Sequence, residues 1–171
     1  MINLHRLILV IIIISFSFIN LSVSKENIGF VNIDYLIQNS NIGKKLLTDI
    51  NNKDKKNIEI LKKKNKVLQE LESSIKAKKN IISNEAYIAE VNDFKKKFDK
   101  FSKEKNQIVK EFNNFKKKEF ENIFKKINPI INYYMEQNSV KILFDSKNIF
   151  MGSKELNFTE DVLKEINKEL K

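Results

Sequence analysis

The chain has 171 residues, 32 of them Lys or Arg against 22 Asp or Glu, for a formal net charge of +10 at pH 7. It contains one His, no Cys, three Gly and one Pro. Disulfides and thiolate chemistry are excluded, and a lone His leaves little for zinc binding or imidazole catalysis.

The chain opens on a short charged segment whose basic groups are His5 and Arg6. Residues 7–19 are apolar apart from Ser15 and Ser17, and Ser22-Val23-Ser24 puts small residues at positions −3 and −1 of a signal-peptidase site. The pattern predicts a secretory signal peptide over residues 1–24, cleaved before Lys25. An uncleaved anchor is the competing reading, but 13 apolar residues make a helix of roughly 20 Å, short of the about 20 residues a bilayer core needs. Cleavage leaves 147 residues (171 − 24) with no His and no Arg. Catalysis by carboxylates or Lys would need a pocket that shifts their pKa values, whereas nearly all of these groups fall on long, solvated helical patterns. The expectation is an exported, periplasmic protein, not an enzyme, with no cofactor and no metal.

Residues 28–33 (IGFVNI) are β-branched and aromatic, which predicts a strand. Asp34 is expected to cap a short helix over residues 35–38, before Ser40 or Asn41 opens a long one. Between Gly43 and Pro129 no helix breaker occurs. Leu47, Asp54, Leu61, Leu68, Ile75 and Ile82 recur every seven residues, with Ile50, Ile58 and Leu71 in a second row. A second heptad series runs Tyr87, Phe94, Phe101, Ile108 and Phe115, with Val91, Phe98 and Phe112 between. Sustained heptads predict coiled coil. The two series are out of phase across Ser83-Asn84, where Asn84 can cap a second helix that begins at Glu85. This predicts an antiparallel hairpin arm over residues 41–136 with its tip near 83–84. The rival is one helix with a heptad slip. Pro129 is expected to mark a bend from the arm into the body.

Residues 140–145 (VKILFD) predict a second strand, residues 146–148 a turn and residues 149–151 a third short strand. Thr159, followed by Glu160 and Asp161, is expected to cap a last helix reaching about Leu170. The predicted fold class is α+β, mainly α: a long helical hairpin on a small β-rich body. The body comprises residues 25–40 plus 137–171 and carries the C-terminal helix. So small a sheet is marginal alone, and self-association is the simple remedy. Ile28, Phe30, Ile142 and Phe144 alternate along the two best strands and are the expected oligomerisation residues.

Residues 41–136 hold 24 Lys and 14 acids, so the excess charge sits on the arm. It can be a solvated helical face, an attraction to anionic lipid, lipopolysaccharide or acidic unfolded chains, or a nucleic-acid surface. Export argues against nucleic acid, as does the lack of Arg for guanine contacts. Thirteen Phe is many for this length. Phe94, Phe98, Phe101, Phe112, Phe115, Phe120 and Phe124 all fall on the second arm helix. Most are expected to pack on the first helix, whose seam is too narrow to cover them all. The remaining apolar surface is the candidate client-binding face.

These residues resemble a known family. Residues 28–38 (IGFVNIDYLIQ), Ser40 and Gly43-Lys44-Lys45 are similar to the opening strand, short helix and arm start of the Skp/OmpH-like periplasmic chaperones. Asn128-Pro129-Ile130, residues 140–145 and residues 156–163 (LNFTEDVL) are similar to that family's closing segment. There an acid and an aliphatic precede the Thr, where this chain has Asn157 and Phe158. The resemblance implies a homotrimer with a β-rich body and three hairpins around a cavity. It implies ATP-independent holding of unfolded outer-membrane β-barrel proteins. An envelope coiled-coil scaffold docking one fixed partner is the alternative from another class.

Overall fold

The structure is a computed structural model and describes residues 27–170; the predicted signal peptide lies outside the described residues. Strand β1 (Asn27–Val31) leads into helix α1 (Ile33–Asn39), followed by the long helices α2 (Asn41–Lys78) and α3 (Asn84–Gln137). Strand β2 (Val140–Asp145), two 3-10 turns and helix α4 (Thr159–Glu169) complete the chain. At 1.5 Å per residue, α2 and α3 are about 57 and about 81 Å long. No described helix is long and apolar enough to cross a membrane.

The arm is an antiparallel hairpin whose register is fixed by three contacts. Lys53 Nζ lies 4.8 Å from the centroid of the Phe115 ring. Lys64 pairs with Glu104 at 2.5 Å, and Lys78 with Glu90 at 2.8 Å. From Lys53 to Lys64 is eleven residues and from Phe115 back to Glu104 is eleven; the next step is fourteen on both sides. The helices therefore run in step from base to tip, with no slip. The turn occupies residues 79–83. Ser83, not Asn84, caps α3, its side chain accepting from Ala86 N. Both residues carry capping groups, and the turn selects the earlier. Helix α3 continues through Pro129 to Gln137, so the residue expected to mark a bend, although it lacks an N–H, does not break the helix.

The start of the chain also differs from local expectation. Asn32, not Asp34, caps α1 by accepting from Tyr35 N, and the helix begins at Ile33. Ser40 closes α1 and opens α2, its Oγ accepting from Gly43 N at 3.1 Å. A Cβ on Gly43 would stand 1.8 Å from the Ile37 carbonyl oxygen, so only glycine fits this corner.

The body pairs β1 and β2 in parallel, in the register Ile28 with Ile142, Gly29 with Leu143, Phe30 with Phe144 and Val31 with Asp145. The arm is the crossover between them. Alternation sends Gly29, Val31 and Leu143 inward, where the core gathers Val31, Leu36, Leu46, Ile123, Ile127, Ile131, Tyr134, Val162 and Ile166. Residues 149–151 form no strand, contrary to expectation; the later residue Asn157 makes the bridge to β1, opposite Phe30. Helix α4 starts behind Phe158, and Thr159 is its first residue rather than its cap. The hydroxyl of Thr159 is used elsewhere: it accepts from Asn32 N at 2.9 Å and donates to Asn157 Oδ1 at 2.6 Å.

Candidate functional site

The aromatic row follows from the heptad spacing of α3, and its placement divides it. Phe120 and Phe124 lie near the body and pack against the core. Phe112 and Phe115 are half-buried at mid-arm, each with a lysine over its ring: Lys116 at 4.9 Å and Lys53 at 4.8 Å from the centroids. Further out, Phe94 and Phe101 are half-buried, while Phe98 is 50% exposed. Phe94 and Phe98 stack obliquely, ring centroids 6.2 Å apart.

The opposing seam explains why none of these rings is fully covered. On α2 only Leu68 and Ile75 of the heptad row are buried; Leu47, Asp54 and Leu61 are half-buried, as is Ile82 in the turn, and Ile58 is exposed. A narrow aliphatic row against bulky rings leaves open grooves. One, of about 290 Å³, lies between Leu68, Val67 and Phe101, rimmed by Lys64, Lys97, Lys100 and Glu104. A second, of about 250 Å³, lies nearer the tip among Ile75, Tyr87, Val91 and Phe94. The floors are apolar and the rims charged. The Lys64 ammonium holds the Glu104 carboxyl below its ordinary value of 4.5.

The other apolar feature is on the body. Ile28, Ile142 and Phe144 are exposed and Phe30 is half-buried; they form two cross-strand pairs on the outer sheet face. Ile149, Met151 and Leu156 fold over this face and enclose with it a groove of about 210 Å³. Phe150, beside it, is fully exposed. The structure thus brings the four expected strand residues together and leaves them open to solvent in the single chain.

Sequence reasoning missed Leu46. The heptad row selects Leu47, yet at the arm base Ile42, Leu46 and Ile50 face the body, with Leu46 buried. The i, i+4, i+8 spacing of these three residues is the signal that could have found it. Asn157 was left without a role. Its Oδ1 accepts from both Thr159 N, at 3.1 Å, and Thr159 Oγ1. An acid at that position offers the same acceptor, so the amide performs the same task. Burial, then the Asp161 and Glu165 carboxylates, hold the Tyr134 phenol above its ordinary value of 10.0. Among the described residues, no buried side-chain polar atom lacks a partner and no His, Cys, Asp and Glu cluster is arranged to hold a metal.

The fold and these surfaces define a two-helix arm on a small strand-bearing body, with apolar side chains left open on both. The family model described as outer membrane protein (OmpH-like) matches residues 27–166. The chain belongs to the OmpH-like family. A crystal structure from Caulobacter crescentus CB15, described as a candidate outer membrane chaperone (OmpH-like), has the same fold. Its TM-score is 0.75 at 14% sequence identity, with 84% of this chain and 85% of that chain covered. Among curated proteins, none matches this sequence.

Proposed function

We propose that the protein is an ATP-independent holdase of the periplasm that binds unfolded outer-membrane β-barrel proteins and keeps them from aggregating. The observation that carries this reading is the open aromatic row of α3, above all Phe98 and the two grooves at Phe94 and Phe101. An unfolded chain is held by covering its apolar side chains, and several shallow contacts sum to useful binding while each stays weak enough to release. Membership of the OmpH-like family and the likeness to a candidate chaperone support the reading. Export by a cleaved signal peptide over residues 1–24 would deliver the chain to the compartment where such clients pass.

The working form in this reading is a homotrimer. Ile28, Phe30, Ile142 and Phe144 would be its contact face, since apolar pairs exposed on a two-stranded sheet need covering. Three hairpins then surround one cavity, and no catalytic group or cofactor enters the mechanism. The direct test dilutes a denatured β-barrel protein into buffer with and without the mature chain and follows light scattering. Suppression at about one trimer per client supports the holdase. Unchanged aggregation favours a scaffold that docks a single folded partner.

A further inference from the structure

The arm's positive charge is concentrated along its middle, away from tip and base. Residues 50–73 and, level with them, 95–118 hold 17 Lys against 7 acids, a surplus of 10. Toward the tip, residues 74–94 hold 3 Lys and 3 acids; at the base, residues 41–49 and 119–136 hold 4 of each. Tip and base are thus nearly neutral.

Within this belt lie three runs of three lysines, at residues 62–64, 95–97 and 116–118. The fixed register of the hairpin places them. Residues 116–118 stand level with 50–52 of α2, and residues 95–97 level with 71–73. The runs therefore climb the arm at intervals of about 18 and then about 14 Å, alternating between α3, α2 and α3. Consecutive helical residues are about 100° apart, so each run wraps roughly half the circumference. Few acids answer them: Glu104 pairs with Lys64, Asp93 with Lys97, and Glu121 lies 4.0 Å from Lys117. Between the runs, Ile58, Ile60, Val67, Phe98 and Val109 are exposed.

We infer that this mid-arm belt is the surface that first captures a client, and that it takes extended polypeptide segments with acidic residues spaced among apolar ones. The inference rests on the holdase reading and locates the capture step within it. An extended chain advances about 3.3 Å per residue, so about four to six residues span one interval of the ladder. An acid at that spacing meets successive lysine runs while the side chains between meet the exposed aliphatics. A lipid surface is flat and reaches one side of the arm, whereas the runs wrap it. Nucleic acid finds no arginine here and no exposed stack of aromatic platforms.

The test compares two variants of the mature chain that each lose five charges. K62Q/K63Q/K95Q/K96Q/K118Q removes belt lysines that make no ion pair, and K44Q/K45Q/K79Q/K125Q/K126Q removes the same number outside it. Capture of a labelled, denatured acidic β-barrel protein is followed by stopped flow. The belt variant is expected to capture about 10-fold more slowly at low salt, with the gap closing near about 0.5 M salt; the outer variant should stay within about twofold. A synthetic unstructured peptide with an acid every fourth residue among Leu and Val should follow the same order in fluorescence anisotropy. That second probe does not depend on holdase activity, so a parent that binds the peptide yet fails to protect clients overturns the holdase reading alone. Equal slowing by both variants, or none by either, overturns the belt. So does loss of binding to anionic phospholipid vesicles with client capture and peptide binding unchanged, which would make lipid the occupant.

Discussion

The backbone N–H of Asn32 donates to Thr159 Oγ1 at 2.9 Å, joining residues 127 positions apart. The same hydroxyl donates to Asn157 Oδ1. One buried side chain thus ties the end of β1 to the start of α4 and closes the body around the arm base. Thr159→Val keeps the shape but leaves Asn32 N without its partner and removes one of the two hydrogen bonds to Asn157 Oδ1, at a cost of about 1–3 kcal/mol. Thermal unfolding followed by circular dichroism should show a lower midpoint, while Asn157→Asp, which keeps the acceptor, should change it little at neutral pH. Equal stability of Thr159→Val and parent would remove the latch from the account.

Gly29 gives a second test of the body. A Cβ there would stand 2.1 Å from the Phe158 ring, which itself packs on Tyr134 at 5.9 Å between centroids. Gly29→Ala should cost about 1–3 kcal/mol through overpacking. Adding Phe158→Leu should recover part of that loss, so the two changes combined should cost less than their sum. Additive denaturation energies would place the strain elsewhere.

Phe144 is 45% exposed in the single chain, so a charge there does not enter the chain's own core. Phe144→Asp is expected to leave helicity intact and to lower the mass of the assembly to that of one chain, read by native mass spectrometry. Retention of the parent's oligomeric mass would remove the outer sheet face from the interface.

The pair between Lys64 and Glu104 sets a pH dependence whose sign follows from the direction of the shift. Glu104 titrates lower folded than unfolded, so its contribution is fully present above the unfolded carboxylate value of 4.5 and is lost as pH falls through the lower folded value. The pair is exposed and the effect small. Hydrogen exchange of mid-arm amides should accelerate, relative to Glu104→Gln, as pH drops below about 4.5. Identical pH profiles for parent and variant would show that the pair adds nothing.

The elements of this fold were readable where the signal is periodic or compositional. The two heptad series gave the hairpin, and residues 140–145 gave β2 within its observed bounds. What was not readable depends on distant partners. Thr159 looks like a helix cap in its own neighbourhood, and only Asn32, across the fold, diverts its hydroxyl. Leu46 is buried rather than Leu47 because the body, not the opposite arm helix, covers the base of α2. Residues 149–151 have strand composition, but it is Asn157, further along the chain, that bridges to β1 opposite Phe30. The aromatic row was legible residue by residue, but its division was not. Phe120 and Phe124 join the core because the body is there, and Phe98 stays open because Leu68 and Ile75 are all that α2 buries along its heptad row.

The central claim is that open aromatic surface on the arm holds the client, and a triple substitution at Phe94, Phe98 and Phe101 to Ser tests it most directly. The measurement is light scattering of a denatured β-barrel protein diluted into parent or variant, with helicity and oligomeric mass checked alongside. Each aromatic contributes at most roughly 1.5–3 kcal/mol when fully covered, so Phe98→Ser alone should weaken protection only mildly, and the triple variant should abolish it. A triple variant that stays helical and oligomeric yet protects as well as the parent would contradict the account.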